Sequence, residues 1–307
     1  TDMTEHNFSV YNAFSSSPFG GCAAGIVDQA ADLKESEMLR IAREVGAPAT
    51  CFITANSGKI IRTRFFSPLT EYPMCGHAAI ALGAWLRDSQ LLAFDQSRIA
   101  SIRLNTPHAF ADIRVQQNSD EDLEVFLTLP PAQFTPASAS DDEIASVLDI
   151  DPRKLDSDLQ RAITVTDFRT LLVPMKHLSG LESIVPNANK IRAFCSRTEL
   201  DTIFVFAPSQ GDWSNGVRCR EFCPAIGSLE SAASGTTNRS VSCYLYQRGR
   251  LVSTNDGSLT LSIFQGVEIA RPSHITSVVS ISAGDVSRVD IGGHATKVVN
   301  GIFLSPF

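Results

Sequence analysis

Phe66–Ser67–Pro68–Leu69–Thr70–Glu71–Tyr72–Pro73–Met74–Cys75–Gly76–His77–Ala78–Ala79–Ile80–Ala81–Leu82 is the stretch that decides how this chain folds. A run ending in proline breaks off, and a thiol, a glycine and an imidazole follow in immediate succession. An alanine-rich apolar segment then begins at helical spacing and continues through Trp85 and Leu86 to about Asp88, so a buried helix is expected from Gly76. The first N–H groups of such a helix lack partners within it and can receive an anion such as a carboxylate. The same dipole lowers the pKa of a thiol at that end, which makes Cys75 a candidate proton-transfer group. His77 is a second candidate, either moving protons itself or orienting the thiol, because its ordinary pKa lies near neutrality.

A later stretch answers the first. Arg64-x-Phe66-x-Pro68 precedes Cys75, and Arg220-x-Phe222-x-Pro224 precedes Ser231–Ala232–Ala233–Ser234–Gly235–Thr236–Thr237–Asn238. Both halves read strand, loop, small residue plus glycine, buried helix, with Cys75 and Ser234 at corresponding points about half the chain apart. This is a weak internal duplication. Gly76, Gly235 and Thr236 are candidate carboxylate-binding positions through their backbone N–H groups. Ser234 reads either as a helix N-cap or as a substrate contact. Glu71 and Glu230 read either as stand-in bases or as loop carboxylates held in ion pairs.

The chain has 307 residues, 43% hydrophobic and 19% charged, an ordinary globular composition whose length suggests two domains. A net charge of −7 without a dense Lys/Arg run argues against a nucleic-acid partner. No apolar run approaches the roughly 20 residues of a membrane-spanning helix, and no signal-peptide pattern opens the chain. Seven scattered cysteines do not form a disulfide framework, so a reduced, cytoplasmic protein is expected. Cys219-x3-Cys223 has no Cys/His pair nearby to complete a metal site and reads as strand packing, while His108, His177, His274 and His294 are dispersed; no metal is expected. No phosphate-cradling glycine motif occurs, so no nucleotide cofactor is indicated.

Along the chain, strands are expected at Phe8–Phe14, Ala23–Val27, Thr50–Thr54, Ile60–Phe66, Ile102–Thr106, Phe110–Val115 and Leu123–Leu129. A helix over Ser36–Val45 is expected to be capped by Ser36 or Asp32 and stopped by Gly46. After a polar linker, Pro136 to Asp142, the second lobe opens with a helix over Asp141–Leu148, and Ser179–Phe194 is helix-prone. Further strands fall at Thr170–Pro174, Ile203–Phe206, Gly216–Phe222, Leu259–Ile263, Ser277–Ile281 and Val298–Leu304, with Gly292–Gly293 in a turn. Strands outnumber helices, so the class is α+β with a mostly antiparallel sheet. The lobes are expected at 1–130 and 131–295, with the strand at 296–307 returning to the first.

Pro18–Phe19–Gly20–Gly21, the Phe66-Ser67-Pro68…Met74-Cys75-Gly76-His77-Ala78 element and Arg220-x-Phe222-x-Pro224…Glu230 to Thr236 together resemble the PhzF-like isomerases of phenazine biosynthesis. The resemblance runs in order over nearly the whole chain. It implies the diaminopimelate-epimerase fold: two pseudo-symmetric lobes, each a curled sheet around a central helix, with the active site between them. It also implies a homodimer, no cofactor, and a small carboxylated ring as substrate.

The departures are chemical. Where the family carries a glutamate in Ser–Glu–Thr–x–Phe, this chain reads Pro48–Ala49–Thr50–Cys51–Phe52, with Ala49 in place of the carboxylate and Thr50 carried over as a binding residue. Where the family reads Glu–Asp–Pro–Ala–Thr–Gly, this chain has Glu230 and then Ser231 for the aspartate. The retained Met74–Cys75–Gly76 is similar to the thiol element of diaminopimelate epimerases and proline racemases, whose second thiol corresponds to Ser234. An alcohol is a far weaker base than a thiolate, so two-base racemisation is disfavoured. The expected reaction is a double-bond shift by proton transfer in a pyrroline or dihydroaromatic carboxylate of secondary metabolism. An epimerase or hydroxyproline-type dehydratase is the enzymic alternative, and an inactive binding homologue the alternative from another class.

Overall fold

A computed structural model describes residues 4–119, 122–165 and 168–305. The chain divides into two compact units: Thr1–Thr128 with Gly292–Phe307, and Leu129–Ile291.

The first unit runs β1 (Thr4–Ala13), β2 (Cys22–Val27), α1 (Glu35–Val45), β3 (Ala49–Asn56), β4 (Ile60–Phe66), β5 (Glu71–Tyr72), α2 (Gly76–Asp88), β6 (Ile99–Asn105), β7 (Phe110–Gln117) and β8 (Leu123–Leu129). The β2–β3 and β4–β6 pairs are parallel, and β1–β2, β3–β4, β6–β7 and β7–β8 are antiparallel. The expected helix at Gly76–Asp88 is present, with Ala78 through Leu86 buried. An all-round apolar helix is stable only inside a sheet wrapped around it. The opposite face of the sheet carries the α1 cluster of Met38, Ile41 and Ala42 against Phe52 and Phe66.

The second unit runs β9 (Phe134–Pro136), α3 (Asp141–Leu148), β10 (Ala162–Val165), β11 (Arg169–Pro174), α4 (Leu178–Glu182), α5 (Ala188–Thr198), β12 (Thr202–Pro208), β13 (Val217–Phe222), β14 (Glu230–Ser231), α6 (Gly235–Gln247), β15 (Ser258–Gln265), β16 (Ser273–Ser282) and β17 (Asp285–Gly293). It repeats the first unit's pairing sense: β10–β11 antiparallel, β11–β12 parallel, β12–β13 antiparallel, β13–β15 parallel, β15–β16 antiparallel. One face of its sheet packs on α3, α4 and α5 through Ile144, Leu148, Leu181, Ile191 and Phe194. A last strand, β18 (Ala295–Ser305), pairs antiparallel with β1 and belongs to the first unit; residues 306–307 lie outside the described residues. The fold is mixed α+β of the diaminopimelate-epimerase type, as expected.

Several local expectations are corrected. The cap of α1 is Lys34, whose backbone N–H donates to Glu37 Oε2 at 2.7 Å, rather than Ser36 or Asp32. A side chain three residues into the helix satisfies the end as well as a cap hydroxyl would. Gly46 does end α1, in the left-handed region at φ 66°. The helix-prone stretch from Ser179 is two helices, because Pro186 between them cannot supply a backbone N–H. The linker from Pro136 contains the end of β9 and the start of α3, and β10 was not expected. Gly292–Gly293 closes β17 instead of forming a turn. A Cβ at Gly292 would collide with the Phe126 ring and the Val125 carbonyl, so close backbone approach, not bending, requires glycine there.

Candidate functional site

In the first unit, Cys75 is the N-cap of α2 in extended conformation (φ −139°, ψ 112°), and no side-chain oxygen caps that helix. The loop ahead of it is fixed. Ser67 Oγ accepts the N–H groups of Leu69 and Thr70 at 3.1 and 3.0 Å, and Thr106 Oγ1 donates to the Pro73 carbonyl at 2.8 Å. Cys75 Sγ lies 3.3 Å from His77 Nδ1. Desolvation pulls His77 down to about 4, and a hydrogen bond to the Ala23 backbone opposes it weakly. An imidazole that donates to a carbonyl through one nitrogen keeps a lone pair on the other. At neutral pH His77 is therefore a neutral imidazole beside the Cys75 sulfur.

Cys51 is buried behind this pair, and burial first, then the charge of Cys75, pushes its thiol up. Strand alternation puts Ala49 on the same face as Cys51, toward α2. Thr50 points the other way. Its Oγ1 and Val45 of α1 together occupy the space beside Gly25, and its hydroxyl has no hydrogen-bond partner. The structure thus groups Cys75, Gly76 and His77 but leaves Thr50 out, since neighbouring strand residues face opposite sides. Glu71 is not a free base: Arg64 Nε and Nη2 donate to its two oxygens at 2.7 and 2.6 Å.

In the second unit, Ser234 is the N-cap of α6 with nearly the same backbone (φ −136°, ψ 108°), and its Oγ accepts the Thr237 N–H at 3.4 Å. Gly235 and Thr236 open the helix, both buried. Ser231 is half-buried and donates to the Ala233 carbonyl at 3.1 Å. Glu230, expected at the substrate, is instead bound fork-to-fork by Arg220, Nε to Oε1 at 2.9 Å and Nη2 to Oε2 at 2.8 Å. Arg220 also donates to the Leu181 and Ile184 carbonyls. Both partners are buried, so this pair fixes β14 to β13 and engages both Glu230 oxygens, the ion-paired one of the two readings.

Sequence reading missed a polar layer beneath the start of α6. Glu221, on β13, accepts from Thr237 Oγ1 at 3.0 Å and from Thr202 Oγ1 at 3.2 Å. Asn238 Nδ2 donates to the Ser234 carbonyl at 2.6 Å and to Gln265 Oε1 at 2.8 Å. Cys219 lies beside these groups, its thiol pushed up by burial first and then by Glu221. Cys219 and Cys223 are both buried, and among the described residues no group of three His, Cys, Asp or Glu side chains could hold a metal ion.

A thiol–imidazole pair stands at one helix start and a hydroxyl at the matching start of a repeated unit, on an α+β topology of the epimerase type. Residues 11–301 match the model of the PhzC-PhzF family, phenazine biosynthesis-like protein, and the chain belongs to that family. Among solved structures, a PhzF-family phenazine biosynthesis protein of Bacillus anthracis is similar at a TM-score of 0.87 and 27% identity, covering 98% of this chain and 100% of that one. The uncharacterized isomerase YddE of Escherichia coli (strain K12) is 27% identical over 287 residues, 92% of this chain and 93% of its own. The trans-2,3-dihydro-3-hydroxyanthranilate isomerase of Pseudomonas chlororaphis is 26% identical over 305 residues, 97% and 99% of the two chains. A hydroxyproline epimerase from Agrobacterium vitis shares the fold at a TM-score of 0.60 and 11% identity. The protein is a PhzF-family isomerase.

Proposed function

We propose that this isomerase shifts a double bond in a small cyclic carboxylate, of the pyrroline or dihydroaromatic kind, by proton transfer through Cys75 without a cofactor. The observation that carries the reading is the 3.3 Å approach of Cys75 Sγ to a neutral His77 held by the Ala23 carbonyl. Helix-start N–H groups are the carboxylate-binding positions of each unit, Gly76 in the first and Gly235 and Thr236 in the second, with Ser231 and Ser234 beside the latter as further substrate contacts.

In the forward half, sulfur takes the proton from a carbon made acidic by the neighbouring carbonyl, imine or diene, while its own S–H proton moves to His77 Nδ1. In the return half, sulfur delivers a proton to a second carbon and recovers one from the imidazolium. The low basicity of His77 favours return of the proton from the imidazolium to sulfur. The dihydrohydroxyanthranilate isomerase relative supports a carboxylated six-membered ring as substrate. The absence of a carboxylate at Ala49 and Ser231 supports a pyrroline carboxylate, which needs fewer acid–base groups.

Proton NMR in deuterium oxide tests this with Δ1-pyrroline-2-carboxylate and trans-2,3-dihydro-3-hydroxyanthranilate. Wild type is expected to place deuterium at one ring position, and Cys75→Ala to lose roughly 10²–10⁴-fold in rate. Exchange that survives in Cys75→Ala, or none with either compound, overturns the reading.

A further inference from the structure

Ser234 sits at the end of a chain of buried hydroxyls that all point one way. Its Oγ donates to Thr237 Oγ1 at 2.9 Å, and Thr237 Oγ1 donates to Glu221 Oε1 at 3.0 Å. From the other side Thr202 Oγ1 donates to the same oxygen at 3.2 Å, with Thr170 Oγ1 2.8 Å beyond it. Thr170, Thr202 and Thr237 are fully buried, Glu221 is 3% exposed, and Ser234 alone is half-buried. Glu221 Oε1 accepts from both threonines, and that sets the sense of the bonds leading to it. Thr237 must give its proton to Glu221, which leaves Thr237 free to accept only from Ser234. The proton of Ser234 is thereby turned inward and its remaining lone pair is left for whatever lies above the helix start.

Among the described residues of the first unit there is no equivalent chain. The strand pairings Phe65↔Tyr72 and Glu221↔Ser231 put Phe65 where Glu221 stands, and Ala78 occupies the position of Thr237. A carboxylate buried on a central strand is costly to keep, and hydrophobic packing was available to the same fold, as the first unit demonstrates.

We propose that Glu221 is the terminal proton acceptor of a relay, Ser234–Thr237–Glu221, which lets the Ser234 hydroxyl act as a base and then as an acid on the substrate. The inference rests on the reading that Ser234 contacts substrate. As a substrate heteroatom, distinct from the carbons that Cys75 serves, gives its proton to Ser234 Oγ, the Ser234 proton passes to Thr237 Oγ1 and the Thr237 proton to Glu221 Oε1. Both hydroxyls are regenerated, the carboxylate becomes a carboxylic acid, and the negative charge moves to the substrate. Reversal of the three transfers returns the proton to that heteroatom and restores the carboxylate. The carboxylate thus supplies the basicity that an isolated alcohol lacks. Thr237 and Glu221 touch no substrate and are positioning residues for Ser234.

Two measurements on one set of proteins test the relay: wild type, Ser234→Ala, Thr237→Val, Thr237→Ser and Glu221→Gln. The first is deuterium exchange into Δ1-pyrroline-2-carboxylate. Thr237→Val, which keeps shape but cuts the chain, and Glu221→Gln, which keeps an acceptor that takes no proton, are expected to slow exchange at least tenfold with little change in KM. Thr237→Ser restores most of the rate. The second needs no substrate: phenylmethylsulfonyl fluoride is expected to label Ser234, located by mass spectrometry, at least ten times faster in wild type and Thr237→Ser than in Thr237→Val and Glu221→Gln. Thermal melts identify any variant whose fold has failed, and the Thr237 pair carries the test if Glu221→Gln is one of them. Equal labelling in wild type and Thr237→Val, or no labelling of Ser234 in wild type, overturns the relay. Absence of exchange in wild type with the labelling pattern intact instead overturns the proposed reaction and leaves the relay standing.

Discussion

The two thirteen-residue helices α2 and α6 begin on nearly superposable backbone, yet one is lined with alanine and the other with hydroxyls and amides. Both are buried over most of their length. In α2 the inner positions are Ala78, Ala79, Ala81 and Gly83; their counterparts in α6 are Thr237, Asn238, Ser240 and Ser242. Each of these four has a partner: Glu221 for Thr237, the Ser234 carbonyl and Gln265 for Asn238, the Thr236 carbonyl for Ser240, the Asn238 carbonyl for Ser242. Helical position therefore dictates burial in both units, and burial dictates only that polar groups be satisfied, not that they be absent. The first unit carries Cys75 and His77 at the helix mouth. The second carries polar groups inward beneath Ser234.

The arginine–glutamate pairs repeat the contrast. Arg64 and Arg220 each lie over the ring of the phenylalanine two residues on, at 5.2 and 4.9 Å, and each grips a glutamate on the short strand before its helix. The side chains of Arg64 and Glu71 are 20% and 14% exposed, those of Arg220 and Glu230 only 4% and 3%. Removing one partner of a buried pair strands the other charge, whereas water can solvate a partly exposed one. Glu230→Ala is expected to cost about 3–5 kcal/mol in urea unfolding, the largest effect foreseen here. A loss below about 1 kcal/mol would break the comparison, because Arg220 would then be satisfied by the Leu181 and Ile184 carbonyls alone.

The two helix mouths should also differ in their response to acid. His77 is held down to about 4 in the folded chain, while an unfolded histidine titrates near 6.5. Between those values the unfolded chain binds the proton that the folded chain refuses, so stability falls as pH drops from about 6.5 toward 4. The loss attributable to this group is at most about 3 kcal/mol at pH 4. His77→Asn removes it, so the unfolding free energies of wild type and variant, measured at pH 7 and pH 4.5, should converge at the lower pH. An unchanged difference would mean that His77 is solvated. Ser234, at the equivalent mouth, has no group that titrates there.

How much of this could be read from residues alone follows from sequence distance. The helix at Gly76–Asp88 was legible because its apolar spacing, its preceding proline and its first glycine lie within one window. The correspondence of Cys75 with Ser234 was legible because the flanking Arg-x-Phe-x-Pro signatures repeat. Glu221 was not, since a charged residue between Arg220 and Phe222 looks like a strand edge until Thr202 and Thr237 are brought to it from other elements. Thr50 was misplaced for a related reason: alternation tells that Thr50 and Cys51 face opposite ways, but only the packing of α1 tells which way is which.

The smallest effect is expected where the comparison is sharpest, at Glu71. Glu71→Ala takes both oxygens from Arg64, but Arg64 Nη2 still lies 2.8 Å from Glu35 Oε2, and its remaining donors reach water. The change should cost no more than about 1 kcal/mol, and 1 M salt should shrink the difference from wild type further, since ions screen an exposed pair and leave a buried one almost untouched. Two pairs of identical composition, at equivalent points of a repeated topology, then differ in access to solvent and in the arginine's further partners, Glu35 for Arg64 and two carbonyls for Arg220. A cost at Glu71 as large as that at Glu230 would assign the energy to the fork geometry and the phenylalanine beneath each arginine, which the two pairs share; a small one assigns it to burial.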